Sequence, residues 1–452
     1  MAKAMGYLPN DKPGIVKLIL LGFQHVLTMF PATVFVAALT GFHVGTVLFA
    51  SGISTIVALL LSKWRIGKFI PLFYGSSFSY IAAYLAIVTE MTGELPAFGV
   101  PVSDDILSVM QAGIVVTGLL NMVVGAIIRA VGKDAIDKVL PPIVTGSVAA
   151  IIGFGLAFAA LGMAGANWTV SLATLLVTIL FSVYLQNRGF IGMLPVLLGA
   201  IAGYFISAGV EPGSVSFAAV ADAPMFQMPH FTFPAFGGAM VGTAVFSIAI
   251  MAIATIPEST AHLYQISLYV DRFAEDTGQE KYELDQHIGF NLILDGIGDA
   301  INGIFGATAG TNYGENNSLM AITRNYSGWA LMGAGVISIL LGFVGKLAAL
   351  VQTVPPAVSG GLAIYLFGVI GMQGIALMQE HNVSMFDPRN LAVGATIMVI
   401  GIGGNIGYDG GFLPIEFLSG IFPNGLPAIA TAAVMGILLN AVFLIFKPSD
   451  SE

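Results

Sequence analysis

The sequence predicts an all-α polytopic membrane protein with fourteen membrane-spanning segments, arranged as two inverted repeats of seven helices. Three observations predict this fold class: an apolar composition, a series of long apolar runs, and short motifs that recur in the same order in both halves. Of the 452 residues, 56% are hydrophobic and only 9% are charged, with a mean hydropathy of +0.90. So few charges cannot cover the surface of a soluble protein of this length, so most of the surface is expected to face lipid.

The composition also excludes several classes of protein. The chain has no cysteine, so no disulfide holds the fold. The net charge is −9 and the basic residues are scattered, which argues against nucleic-acid binding. The polar opening stretch MAKAMGYLPNDKPG shows no pattern of a cleavable signal before the first apolar run.

Apolar runs long enough to span about 30 Å of hydrocarbon recur along the whole chain. They are continuous rather than alternating, which favours helices over the strands of a barrel. The fourteen expected spans are residues 14–38, 43–62, 69–88, 106–128, 141–161, 168–186, 190–208, 236–266, 288–306, 311–323, 328–346, 355–377, 391–407 and 425–446.

The basic residues predict the orientation of these spans. With the N-terminus in the cytoplasm, only Lys346 falls on the outer side. The long connections at 89–105 and 209–235 carry acidic residues but no Lys or Arg, which is the positive-inside signature. We therefore expect a multi-pass protein of the cell inner membrane with both termini in the cytoplasm. The expected cytoplasmic cations are Lys3, Lys12, Lys17, Lys63, Arg65, Lys68, Arg129, Lys133, Lys138, Arg188, Arg272, Lys281, Arg324, Arg389 and Lys447.

Short motifs of the first half return in the second half in the same order. FPAT is matched by IPES, FYGSSFSY by NYGENNSL, and LPPIVTGSVAAI by VPPAVSGGLAIY. The last pair is preceded in both halves by VGK, at 131–133 and 344–346. In the predicted topology these two VGK motifs lie on opposite sides of the membrane, so the two halves form an inverted repeat.

Inverted repeats indicate transport by alternating access, with a binding site where the two halves meet at mid-membrane. The matched YGSSF and YGENN stretches are the expected points of unwinding, because Gly75 and Gly314 allow backbone to leave helical geometry. The half-helices that begin there offer unpaired N–H groups and a positive dipole end. Acidic residues inside the membrane, such as Glu258 and Glu315, are functional candidates.

These same stretches resemble a known family. YGENNSLMAITRNYS, GFQHVLTMFPATV, GSSFSYIA, PESTAH and SGGLAIYLFGVIG are similar to the tenth, first, third, eighth and twelfth helices of the nucleobase–ascorbate transporter family, in its uracil permease-like branch. The resemblance runs over nearly the whole chain. Xanthine and urate members typically carry Gln-Asn where this chain has Glu315 and Asn316, so the residue pair favours the pyrimidine branch.

The resemblance implies a proton-coupled nucleobase symporter, most simply for uracil, and not an enzyme. It implies no cofactor other than the coupling proton, and no metal. It further implies a core domain of helices 1–4 and 8–11 (14–138 and 223–350) and a gate domain of helices 5–7 and 12–14 (139–222 and 351–446). Short strands would interrupt helices 3 and 10, and the protein would be a homodimer.

The resemblance also implies roles for individual residues. Glu258 would accept the imide N–H of the base, and Glu315 would hold its other polar edge directly or through Asn316. Backbone N–H groups near Phe78 and Gly314 would meet the ring carbonyls. The expected substrate-binding residues are Ser77, Phe78, Glu258, Tyr313, Gly314, Glu315 and Asn316, and the expected proton-coupling residues are His25, Glu258 and His262.

Each of these residues also has a purely structural interpretation. Glu258 could pair with a neighbouring helix, and Glu315 could cap a helix N-terminus without any ligand. His25 could be a packing residue. Asp295 and Asp299 are expected to stabilise the ninth helix or its turn rather than the site.

Other functions remain open beside uracil transport. A xanthine or purine permease of the same family is one, and an anion transporter or channel of the related fourteen-helix fold is another. Two acids at the site would repel an anion unless they were protonated. An intramembrane hydrolase would need Glu258, His262 and Glu315 as metal ligands, but a single imidazole is poor ligation for zinc.

Overall fold

The computed structural model describes residues 6–132, 138–186, 188–419, 422 and 425–446. Three of the expected cytoplasmic cations, Lys3, Lys133 and Lys447, lie outside these residues. The described chain is mostly helical. Its α-helices are α1 (Ile15–Thr40), α2 (Val44–Ile66), α3 (Ile81–Thr92), α4 (Asp104–Val131), α5 (Pro142–Gly155), α6 (Ala157–Ala164), α7 (Trp168–Leu185), α8 (Pro195–Val210), α9 (Ala218–Asp222), α10 (Ala239–Ala249), α11 (Ala252–Asp276), α12 (Ile288–Phe305), α13 (Gly314–Thr323), α14 (Gly328–Gly342), α15 (Gly345–Gln352), α16 (Pro356–Glu380), α17 (Pro388–Met398), α18 (Gly404–Gly407) and α19 (Ala428–Ile445).

Ten helical segments in the described part of the chain are long and apolar enough to cross a bilayer. Three shorter apolar helices, at Phe78–Thr92, Pro195–Val210 and Gly328–Gly342, accompany them. The prediction of a multi-pass, mostly helical membrane protein is therefore confirmed. The ten segments are Ile15–Thr40, Val44–Ile66, Asp104–Val131, Pro142–Ala164, Trp168–Leu185, Met240–Asp276, Leu284–Phe305, Pro356–Glu380, Pro388–Gly407 and Ala428–Ile445.

The eighth apolar run differs from its predicted bounds of 236–266. It contains two helices, α10 and α11, with a break at Ile250 and Met251, and α11 continues to Asp276. The extension has a physical reason: hydropathy marks only the part of a helix that suits lipid, whereas backbone hydrogen bonding continues through the polar end of α11. In the thirteenth run, a π-helical turn at Val399–Gly403 separates α17 from α18.

One three-residue strand lies within the third apolar run, and a second begins one residue before the tenth run and continues into it. They are β1 (Tyr74–Ser76) and β2 (Gly310–Asn312), and they pair antiparallel with Gly75 opposite Thr311. A 3-10 turn at Phe78–Tyr80 and α3 follow β1, whereas α13 follows β2. Because the strands are antiparallel, these helical segments leave the ladder in opposite directions. A second small ladder, β3 (Phe412–Leu413) with β4 (Leu426–Pro427), was not expected from the sequence.

Close approach of helix backbones explains part of the high glycine content. A methyl group added to Gly118 on α4 would lie 2.5 Å from the carbonyl oxygen of Gly296 on α12. One added to Gly125 would lie 2.5 Å from the carbonyl oxygen of Gly289. Small residues at such crossings let membrane helices pack through their backbones, so α4 and α12 are held in tight contact along their length.

The helices pack in two groups. In the first, α12 packs against α2 and α4, α14 packs against α1 and α2, and α10 packs against α4. In the second, α16 packs against α5, α6 and α7, and α17 packs against α5 and α19. The β1–β2 ladder contacts α1, α2, α11 and α12, so it belongs to the first group.

Candidate functional site

A cavity of about 760 Å3 lies beside the β1–β2 ladder. It is bounded by the ladder, by the start of α13, by one face of α11 and by one face of α16. Its lining contains three glutamates but no Lys or Arg among the residues that the structure describes there. The lining residues are Ser76, Ser77, Phe78, Glu258, Ala261, His262, Tyr264, Gln265, Leu268, Thr311, Asn312, Tyr313, Gly314, Glu315, Ser318, Gln373, Leu377, Glu380 and His381.

One face of α11 contributes an acid, an imidazole and an amide to this cavity. Glu258, His262 and Gln265 follow one another at helical spacing, so their side chains emerge on the same side. His262 Nδ1 lies 2.7 Å from the carbonyl oxygen of Asn312, so Nδ1 carries the proton and donates it. In the neutral form of the ring Nε2 would be an acceptor, and it lies on the side that faces Gly314. Gln265 was not among the expected site residues, although the helical period from Glu258 places it on the same face.

The start of α13 places a second carboxylate in the cavity. The helix begins at Gly314, directly after β2, with Glu315 in its first turn and exposed to the cavity. The first N–H groups of a helix have no partner within the helix and carry its positive dipole end. A methyl group added to Gly314 would lie 2.7 Å from Nε2 of His262, so a larger residue here would have to displace the imidazole on α11.

Tyr313 joins the two strands to α1. Its buried hydroxyl donates to the carbonyl oxygen of Ser76 at 2.8 Å and accepts from the hydroxyl of Thr33 at 2.9 Å. The ring covers Gly75, where a methyl group would lie 2.6 Å from Tyr313 Cζ. The matched glycine of β1 is thus required by the tyrosine that follows β2.

The first-half side of the cavity is formed by Ser77 and Phe78. Ser77 Oγ accepts from the backbone N–H of Ser79 at 3.2 Å and so caps the 3-10 turn. The half-buried ring of Phe78 stacks on Phe35 of α1, with ring centroids 6.3 Å apart. An aromatic surface therefore lies next to the polar lining.

Two of the expected site residues lie behind the cavity. Asn316 and His25 are buried and are not among the lining residues. The Asn316 amide donates to His25 Nδ1 at 3.1 Å and to the His25 carbonyl oxygen at 3.2 Å. These contacts tie α13 to α1, while the expected roles of both residues in binding and coupling stay predictions.

A buried acid on α12 forms hydrogen bonds to the β1–β2 ladder. Asp299 of α12 accepts from the hydroxyl of Tyr74 at 2.5 Å and from the backbone N–H of Gly310 at 2.8 Å. Its second oxygen accepts from the amide of Asn121 at 2.9 Å. Asp299 therefore joins both strands and α4 at one carboxylate.

Asp295, one turn earlier on α12, extends this polar support to α11. It accepts from the hydroxyl of Ser259 and from the amide of Asn312, the latter at 3.1 Å. Ser259 in turn accepts from Asn312 at 2.7 Å and from Asn291 at 2.9 Å. Asn291, Asp295 and Asp299 recur every four residues and form a polar stripe on an apolar helix. Its contact with the strands was not expected from the sequence.

The arrangement does not suit the metal-dependent hydrolase considered above. Within the described residues, the one group of three potential ligands whose donor atoms lie within 4.8 Å of one another does not contain Glu258, His262 or Glu315. Taken with the residues described above, the cavity offers acids, N–H donors and an aromatic face to a polar ligand.

Comparison with known proteins shows full-length similarity to permeases. A model of the permease family matches residues 16–409. A uracil permease of Bacillus caldolyticus is 34% identical over 456 residues, covering 98% of this chain and 95% of that protein. A uracil permease of Escherichia coli (strain K12) is 32% identical over 449 residues, covering 96% of this chain and 93% of that protein.

Solved structures with the same fold are more distant. The murine Solute Carrier 26 family member A9 anion transporter, in its inward-facing state, matches 97% of this chain and 69% of its own, with a TM-score of 0.62 and 14% identity. The transmembrane domain of the cyanobacterial bicarbonate transporter BicA matches 96% of this chain and all of its own, with a TM-score of 0.55 and 13% identity. Since the family match spans most of the sequence and the relatives align end to end, this chain belongs to the permease family, whose members are transporters and not enzymes.

Proposed function

We propose that this chain is a proton-coupled nucleobase symporter with uracil as its substrate, working by alternating access. The observation that carries the proposal is the single cavity that collects Glu258, Glu315 and the helical segments that begin after β1 and β2. The relatives that align over nearly its whole length are uracil permeases, which supports the choice of base.

The chemistry of the lining suits a uracil ring. The base presents N–H donors and C=O acceptors in one plane, so it needs carboxylates and N–H donors around its edge and an apolar surface on its faces. Glu258 accepts the imide N–H and Glu315 serves the other edge. Backbone N–H groups at Phe78 and at Gly314 face the carbonyls, while the ring of Phe78 covers one face. A site that would leave such groups unpaired with the wrong ligand discriminates strongly.

Proton coupling is supported by the lack of a cationic partner for either acid among the residues that the structure describes. Among the described residues, the ion pairs involve His230, Lys281 and Arg389, and none reaches Glu258 or Glu315. A charged carboxylate inside a membrane is costly without a partner, so such acids commonly take up protons or bind substrate. In our proposal Glu258 carries the coupled proton, with His262 one turn later as its neighbour and His25 tuning the site from behind α13.

The proposal includes the layout needed for alternating access. Fourteen segments form two inverted repeats of seven, and β1 and β2 interrupt the third and tenth. The core domain comprises 14–138 and 223–350, and the gate domain 139–222 and 351–446. The two packing groups of helices support this division. Since α11 packs against α12, and α13 against α1, both belong with the first group, and the cavity lies between them and α16 of the second group. The protein acts as a homodimer in the inner membrane with cytoplasmic termini.

An anion transporter is less well supported, although the structural neighbours transport anions. Their identity of 13–14% shows the fold alone. The cavity lining contains Glu258, Glu315 and Glu380 and, among its described residues, no Lys or Arg to neutralise an anion. A xanthine or purine substrate has a larger, two-ring base, for which the site would need more room.

The test is accumulation of radiolabelled uracil by vesicles containing the protein, with and without a pH gradient that is acidic outside the vesicles. We expect accumulation above equilibrium only with the gradient, abolished by a protonophore. Competition by unlabelled uracil, thymine, xanthine and bicarbonate identifies the substrate class. Accumulation that does not depend on the pH gradient would disprove proton coupling. Competition by xanthine or bicarbonate but not by uracil would show that uracil is not the substrate.

A further inference from the structure

Three potential metal ligands from distant parts of the chain meet at the end of the helix bundle opposite the start of α1. His43 directly precedes α2, Asp104 is the first residue of α4, and His230 lies in the connection between α9 and α10. None of them lines the cavity beside the β1–β2 ladder. They therefore form a separate cluster.

The geometry brings one donor atom of each residue close to the others. His230 Nε2 lies 2.9 Å from Asp104 Oδ1, and the ring centroids of His43 and His230 are 4.3 Å apart. All three donor atoms lie within 4.8 Å of one another. The carbonyl oxygen of His230 accepts from the hydroxyl of Thr46 at 2.6 Å, which fixes the backbone of the connection over α2.

Two imidazoles and a carboxylate are a donor set that binds divalent transition metals, zinc among them. Tetrahedral zinc with bonds of about 2.0–2.1 Å needs donor atoms roughly 3.4 Å apart, so the cluster needs only a small closing movement. His230 and Asp104 are free to make it, because their side chains are 45% and 62% exposed. A cavity of about 240 Å3 adjoins His43 and His230 and has room for a water molecule as the fourth ligand.

We propose that His43, Asp104 and His230 form a binding site for a divalent transition metal ion such as Zn2+. The ion ties the connection between α9 and α10 to the starts of α2 and α4. The same connection also contacts the chain directly after α14, because the backbone N–H of Gln227 donates to the carbonyl oxygen of Phe343 at 2.8 Å. On the proposed topology the site lies on the outer face, where it is accessible to metal from the medium.

The experiment uses the full-length protein purified without a polyhistidine tag, because a tag would itself bind the metal. Zn2+ is titrated by calorimetry, and Co2+ by its visible absorption, which is intense only for tetrahedral or five-coordinate ligation. We expect one ion per chain for the wild type, and Zn2+ should raise the midpoint of thermal unfolding. His43→Ala and His230→Ala should abolish both signals, and Asp104→Asn should weaken binding by at least tenfold.

Matched controls come from residues outside the cluster. Asp105→Asn changes the neighbouring exposed acid, and His287→Ala removes a histidine at the start of α12; both should bind Zn2+ like the wild type. A variant counts only if it elutes as a single species on gel filtration, and Asp104→Asn provides the mildest change if an alanine variant fails this check. Binding of one ion per chain by well-folded His230→Ala protein, unchanged affinity in well-folded Asp104→Asn protein, or no saturable binding to the wild type overturns the proposal.

Discussion

Replacement of Asp299 by alanine tests how the polar stripe of α12 supports the site. The carboxylate accepts from three buried donors: the Tyr74 hydroxyl, the Gly310 N–H and the Asn121 amide. Each buried donor left without an acceptor costs roughly 1–3 kcal/mol. Asp299→Ala is therefore expected to destabilise the protein by roughly 3–9 kcal/mol, and to abolish uptake because the ladder loses its anchor.

Asp299→Asn separates the hydrogen bonds from the general effect of a core substitution. The new amide oxygen can keep the contacts to Tyr74 and Gly310. Its nitrogen faces Asn121, whose own Oδ1 is buried and has no partner in the described part of the chain, so a rotation of that amide restores the third bond. We expect a loss of only about 1 kcal/mol and measurable uptake.

The assay compares thermal unfolding midpoints of the detergent-purified variants with uracil uptake in vesicles. Asp105→Ala, a change at an exposed acid of α4, is the control and should leave both measurements unchanged. The expected order of stability is wild type, then Asp299→Asn, then Asp299→Ala. A stable and active Asp299→Ala protein would refute the account of the ladder as held by α12.

Three further predictions concern the cavity itself. Gly314→Val should abolish transport without preventing membrane insertion, because its side chain would displace His262, which a Cβ at this position would already approach to 2.7 Å. Glu258→Gln should bind uracil markedly more weakly, since charge-assisted hydrogen bonds are about twice as strong as neutral ones, and should lose proton-driven accumulation at every pH while retaining slow exchange. Glu315→Gln should also weaken uracil binding and shift preference toward purines, because the change creates the Gln-Asn pair of the xanthine branch.

These variants have matched controls and clear contrary results. Gly242→Val places the same side chain on α10, where an added Cβ meets no atom within 4 Å, and should transport normally. Glu94→Gln changes an exposed acid in the connection after α3 and should accumulate uracil like the wild type. Equilibrium binding and accumulation are measured for all variants. Normal uptake by Gly314→Val would show that this backbone does not line the site, and wild-type accumulation by Glu258→Gln would remove that residue from coupling.

The sequence alone was sufficient for the class of protein and for the local breaks in its helices. Both are properties of short stretches of sequence. The composition of an apolar run is enough to predict that it lies in lipid, and YGSSF and YGENN interrupt such runs with polar residues and glycine. Seven of the expected site residues line one cavity, among them Glu258 and Glu315. Their roles were expected from the resemblance to the transporter family, whereas the breaks alone pointed to the stretches around Gly75 and Gly314.

Only the tertiary structure decided which side of each helix faces the cavity. Asn316 is adjacent to Glu315 in sequence, yet it points toward His25 because successive residues on a helix are about 100° apart. Asp299 reaches Tyr74 and Gly310 only because α12 packs under both strands. His43, Asp104 and His230 likewise have no common pattern in sequence. Contacts of this kind depend on how distant helices pack and rotate against one another, and hydropathy, which assigns each residue its own transfer free energy, carries no information about that.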